Sequence, residues 1–207
     1  MVSALQALDR LRDGNRRFAS NAQADADRIN ARPAEVAGGQ EPFAIILGCS
    51  DSRVPAEIIF DQGLGDLFVI RVAGNIVAPS QIGSVEFAAT RFGTRLVVVL
   101  GHSQCGAIEE TMRQLQEPRE NRSRNLRSIV DFVRPSVESL LDQGLGDDPE
   151  AVIAQAVRLN IRASAEHMRH GSQILEELER NEGLVIVGAE YSLKTGLVDF
   201  FDGVPWR

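Results

Sequence analysis

Four short stretches are apolar at almost every position: FAIILG (43–48), LFVIRV (67–72), RLVVVLG (95–101) and LVIVGAE (184–190). A strand with one wet face alternates apolar and polar residues, so runs apolar on both alternations predict strands covered on both faces, as in parallel sheets. Between them the spacing turns helical. PAEIIFDQG places Pro55 at a first helical position and stops at Gly63, and SQIGSVEFAATRFG runs from Ser80 to a stop at Gly93. Further helices are expected over 104–116, over 125–144 with an interruption at Pro135, and from Asp148 to Glu182 with a break at Gly171. Leu5, Leu8 and Leu11 give the N-terminal segment the stripe of an amphipathic helix. The tail YSLKTGLVDFF predicts a turn at Lys194–Gly196 and a last short antiparallel strand at a sheet edge. QEPRENRSRN (116–125), with charges of both signs, is expected to be an exposed loop or helix end.

Strands and helices alternating in this way predict an α/β fold with right-handed crossovers. The expected core is a mainly parallel central sheet of about four strands plus an edge strand, flanked by helices, with an N-terminal helical arm over 1–35. At 207 residues and 43% hydrophobic, the chain fits one domain over 1–207. A formal charge of −7 argues against nucleic acid as a partner, because a phosphate backbone demands clustered cations. The N-terminus lacks the apolar core of a secretory signal, and no run approaches the roughly 20 apolar residues of a membrane span. No membrane association is expected, and a cytoplasmic location is. There thiols stay reduced, which makes metal binding or catalysis a better expectation for the two cysteines than a disulfide.

Both cysteines follow apolar runs at once, Cys49 in IILGCSDSRVP (45–55) and Cys105 in VVVLGHSQCGA (97–107). Ligands of open α/β sheets bind outside the carboxyl ends of the strands. If the two strands are neighbours, their ends lie about 5 Å apart. Cys49, His102 and Cys105 then converge on one point. Two thiolates and an imidazole suit a zinc ion, and three protein ligands leave a fourth position for water. His167 and His170 sit in a charged helical stretch and are expected at the surface. Taken alone, SDSR is equally consistent with a helix-initiating turn in which Ser or Asp caps and Arg is exposed.

CSDSRVPAE, GDLFVIRVAGN and GHSQCGAI, in this order and at these separations, resemble the β-class carbonic anhydrases. The resemblance extends from Asp13 to Gly106 and weakly to the last strand and hairpin. It implies reversible hydration of carbon dioxide to bicarbonate at one Zn2+ per subunit, held by Cys49, His102 and Cys105. Asp51 and Arg53 are implied as the dyad beside it, Asp51 orienting the attacking oxygen or, with the pair broken, occupying the fourth zinc position. In the branch resembling the plant enzymes, Gln40 matches a substrate-site glutamine, while Phe68, Ala73 and Phe87 fall at apolar pocket positions. Phe87 stands where that branch often has tyrosine, and RVAGN replaces the commoner RNVAN. Ile46 stands where the allosteric bacterial branch has tryptophan.

Gln40 and Phe68 lie at the starts of strands whose other ends point at the metal, and a six-residue strand spans about 20 Å. A second subunit related by a two-fold axis could bring both to the site, making a homodimer or a higher even oligomer the expected functional unit. The amphipathic N-terminal helix is expected to embrace that neighbour or to pack on its own domain. Other chemistries lack their residues: Cys49 and Arg53 are too close for a cysteine-phosphatase loop, and there is no C-x-x-C, G-x-x-x-x-G-K or G-x-G-x-x-G. Two rivals stay open, a carbonyl sulfide or carbon disulfide hydrolase on the same fold, and a catalytically silent zinc-bearing assembly module closed by Asp51.

Overall fold

A computed structural model describes residues 2–22, 36–116, 123–141 and 148–205. Five strands form one sheet in the order β2-β1-β3-β4-β5: β1 (Ala44–Gly48), β2 (Leu67–Arg71), β3 (Leu96–His102), β4 (Val185–Tyr191) and β5 (Val198–Asp202). β1 to β4 run parallel and β5 pairs antiparallel with β4. The four apolar runs are therefore the four parallel strands. Every residue of β1 and β3 is buried, because these strands have neighbours on both sides and helices over both faces.

One face of the sheet, with Ile45, Leu47, Val97, Val99 and Ile186, packs under α3 (Pro79–Arg91), α5 (Arg124–Leu141), α6 (Pro149–His170) and α7 (Gln173–Glu182). The opposite face, with Ile46, Leu96, Val98 and Leu100, packs against α1 (Ala4–Ala19) and α2 (Ala56–Ile59). α4 (Gly106–Gln116) leaves the carboxyl end of β3.

α1 opens with a capping box between Ser3 and Gln6 and buries Ala7, Leu8 and Leu11 on its own sheet, leaving Leu5 exposed. The Asn15 side chain fixes that docking, donating to the carbonyls of Ile59 and Gly196 and accepting from the amide of Val198. Of the two expected placements of the N-terminal helix, the one on its own domain is observed. Three expectations change. α2 ends at Ile59, short of Gly63, where the chain turns through Asp61 at φ 48°. α5 runs unbroken through Pro135, which is exposed, while Val130, Val133, Val137 and Leu140 anchor the buried face. His102 belongs to β3 itself, where it pairs in register with Tyr191. The break at Gly171 stands, with Ser172 capping α7. Most of the polar segment 116–125, and residues 23–35 of the N-terminal arm, lie outside the described residues. Among the described residues no helix is long and apolar enough to cross a membrane.

Candidate metal centre

Cys49 is the first residue beyond β1, His102 the last residue of β3, and Cys105 immediately precedes α4. Because β1 and β3 are adjacent, with Gly48 opposite Leu100, the three side chains meet at the carboxyl edge of the sheet. Their donor atoms all lie within 4.8 Å of one another, and all three residues are buried.

The imidazole of His102 is oriented by its Nδ1, 2.9 Å from the carbonyl oxygen of Ser103. That contact places the ring proton on Nδ1 and leaves Nε2 bare. Nε2 is fully buried and has no hydrogen-bond partner. A buried polar atom without a partner is costly, and a cation held between this nitrogen and two sulfurs removes the cost. The donor set thus fits a metal ion, with Nε2 and the two Sγ atoms as ligands, and two sulfurs with one nitrogen suit zinc.

The two thiols titrate as a pair. Their mutual hydrogen bond lowers Cys49 to about 4, against the opposing effect of burial. The same contact, then burial, pushes Cys105 up.

Asp51 and Arg53 face each other beside this cluster. Arg53 Nε donates to Asp51 Oδ1 at 2.9 Å and Nη2 to Oδ2 at 2.7 Å, and the Arg53 amide also donates to Oδ1. The guanidinium holds the Asp51 carboxyl well below the usual carboxylate range. Asp51 Oδ2 is 3.8 Å from His102 Nε2. The helix-capping alternative for SDSR fails, since α2 is preceded by Pro55 and has no side-chain cap.

Two supports of the site were not foreseen from the sequence. Arg71, at the end of β2, donates from Nε to the carbonyl of Cys49 at 3.0 Å and from Nη2 to that of Asp51 at 2.6 Å. The Gly74 amide donates to Cys49 Sγ at 3.4 Å. A lone arginine closing an apolar strand at the ligand-binding end of the sheet was a readable signal for the first; nothing local marked the second.

The remaining expected residues divide between the two ends of the sheet. Ala73 opens the 3₁₀ turn Ala73–Asn75 and neighbours the Gly74 contact to Cys49. Phe68 pairs in register with Ile45, at the far end from the metal ligands. Gln40 precedes β1 and lines a cavity of about 760 Å³ with Phe43, Arg91, Phe92 and Thr94. Phe87, on α3, is 53% exposed, and its ring packs 6.1 Å from Phe68 and 5.7 Å from Phe92. His167 stacks on Phe132 at 6.4 Å, and His170 pairs with Glu166 at 3.0 Å.

A family profile described as carbonic anhydrase matches residues 44–198. The chain is 38% identical over 196 residues to a carbonic anhydrase of Mycolicibacterium smegmatis, covering 91% of this chain and 89% of that protein. It is 36% identical over 187 residues to carbonic anhydrase 2 of Mycobacterium tuberculosis, covering 90% and 87%. A solved structure among tetrameric β-carbonic anhydrases of Sordaria macrospora superposes with a TM-score of 0.74 at 23% identity, covering 91% of this chain and 93% of that one. The chain belongs to the carbonic anhydrase family and has the fold of its β class.

Proposed function

We propose that the protein is a zinc carbonic anhydrase that interconverts carbon dioxide and bicarbonate. The observation that carries this reading is the buried triad of Cys49, His102 and Cys105, with Nε2 of His102 bare and aligned by the Ser103 carbonyl. When bound there, zinc supplies a Lewis acid that makes water a nucleophile. With zinc bound, the Cys49 and Cys105 thiolates would offset its formal charge more than neutral imidazoles, and the rate would rise toward alkaline pH.

Asp51 accepts a hydrogen bond from the nucleophile and directs its lone pair at the carbon of carbon dioxide. Arg53 keeps the carboxylate in that orientation, and while the pair is intact Asp51 is not free to serve as a fourth ligand. The oxygen of water adds to carbon, one proton leaves to solvent, and bicarbonate departs. Ala73 forms part of the pocket wall beside the donors.

With Phe87 packed against Phe68, Gln40 and Phe68 act on the substrate of a neighbouring subunit. Five residues of β1 span about 16 Å, so these side chains sit too far along the sheet to reach the metal of their own chain. A dimer or higher even oligomer supplies them across a two-fold axis, an arrangement supported by the tetrameric state named for the Sordaria macrospora relatives. Residues 1–207 work as one domain, since α1 and β5 both pack on the sheet that carries the donors. The thiols must stay reduced to hold metal, which fits the cytoplasm.

Removal of metal with dipicolinate, followed by return of zinc, tests the proposal. Carbon dioxide hydration is expected to vanish and then recover in proportion to bound zinc. Hydration that persists in metal-free protein refutes it.

A further inference from the structure

The second unforeseen support, the Gly74 amide on Cys49, is held from a distance. The chain enters the Ala73–Asn75 turn from β2, and the amide of Val72 bonds to the carbonyl of Gly48 at 3.1 Å, one residue before Cys49. Gly74 then adopts φ 70°, ψ 17°, and Asn75 follows with φ 44°. Two successive left-handed residues are not a conformation that the backbone holds unaided. A side chain at Gly74 would also stand 3.1 Å from Ala107 and 3.3 Å from Val133.

What fixes this turn from outside is Asn160 on α6. Its Nδ2 donates to the Gly74 carbonyl at 2.8 Å, and the residue is 3% exposed. The next residue, Ile161, seats α6 against the sheet: a Cβ on Gly101 would lie 2.5 Å from Ile161 Cδ1, so α6 approaches β3 closely one residue before His102. A buried asparagine costs desolvation that an aliphatic residue in the same place would not, and here its donor is spent on a residue whose amide faces the Cys49 sulfur.

We propose that Asn160 is a positioning residue of the metal centre. By clamping the Gly74 carbonyl it holds the Gly74 amide on Cys49 Sγ, which tempers the electron donation of that thiolate to the ion and keeps the sulfur aligned. The inference rests on the zinc reading above. Partners of this outer kind orient ligands, and their loss typically costs about 10–100-fold in metal affinity.

The test substitutes cobalt(II) for zinc in the full-length protein and compares wild type with Asn160→Leu, Asn160→Ser and Ile161→Val. Leucine matches the size of asparagine without its donor. Serine is too short to reach the Gly74 carbonyl and guards against a leucine variant that does not fold. Ile161→Val loosens the same helix without touching the relay. For a folded Asn160 variant, the sulfur-to-cobalt charge-transfer band is expected to move to longer wavelength, and zinc affinity, read by competition with a chromophoric chelator, to fall by about 10-fold or more. Ile161→Val is expected to lower the melting temperature with band and affinity unchanged. Folded Asn160 variants with the wild-type band and affinity overturn the relay, as does an Ile161→Val protein that shows the same spectral shift. Wild-type protein that binds neither cobalt nor zinc removes the metal reading and the relay with it.

Discussion

Asp51 Oδ2 stands 3.8 Å from Nε2 of His102, and the two-point contact with Arg53 directs the carboxylate away from full contact with that nitrogen. Under the proposed function, the pair decides whether the carboxylate orients a nucleophile or competes for the metal. Arg53→Ala is therefore expected to keep bound zinc yet lower turnover by about 100-fold, the scale of a misplaced reacting group. Metal analysis beside stopped-flow hydration checks this, and an unchanged rate removes the orienting role of the pair.

The pH behaviour of Asp51 follows from the direction of its shift. Its acidity is enhanced in the folded state, chiefly by the hydrogen bond from Arg53, so the pair is fully formed above the ordinary carboxylate range and is lost only as pH falls through the lowered folded value. Asp51 does not titrate near neutrality. Asp51→Asn is thus expected to reduce the rate while leaving the midpoint of its alkaline rise in place. A displaced midpoint would assign that rise to Asp51.

Metal uptake by the thiol pair is expected to release protons. In the metal-free protein the contact with Cys49 and burial both favour the protonated form of Cys105. Zinc binding displaces the Cys105 proton, and apparent affinity falls as pH falls. Titration calorimetry in buffers of different ionisation enthalpy measures the number released. Zinc binding with no proton release at pH 7 contradicts the assignment of both sulfurs as ligands. Cys49→Ser and Cys105→Ser are each expected to lose metal and activity together.

Gly101 is where α6 meets β3. A methyl group there would overlap Ile161, so Gly101→Ala is expected to cost about 1–3 kcal/mol of stability. Thermal unfolding of the metal-free protein reads this without interference from ligand binding. An alanine variant as stable as wild type would mean that α6 shifts outward freely, which the buried Asn160 and Ile161 contacts argue against.

A site completed across subunits has a genetic signature. Gln40→Ala and Asp51→Asn chains are each expected to be impaired, but a mixed oligomer contains sites with neither defect. Co-expression is expected to restore a fraction of the wild-type rate. Mixed oligomers as impaired as the parents would place Gln40 and Asp51 in the same site.

The parallel strands were legible because burial on both faces leaves no polar alternation, and β1, β2, β3 and β4 each fall within a residue of the apolar runs. The donors were legible because cysteine and histidine stand at the ends of those runs. What escaped depends on tertiary packing. Pro135 reads as a break, yet its position on the exposed side of α5 lets the helix continue. The stripe of α1 does not say whose surface it covers; Asn15, which joins it to Ile59 and Gly196, does. Arg71, Gly74 and Asn160 act on the cysteine loop through backbone groups, and bonds to backbone leave little trace in residue type.

The most direct measurement is stopped-flow carbon dioxide hydration on protein of verified zinc content, from about pH 6.5 to 9, where a metal-bound water ionises. A rate far above buffer that climbs with pH is expected, and higher with carbon dioxide than with carbonyl sulfide. A zinc-loaded protein that stays at the buffer rate throughout would contradict the anhydrase reading and return the site to a closed assembly module or a sulfur-containing substrate.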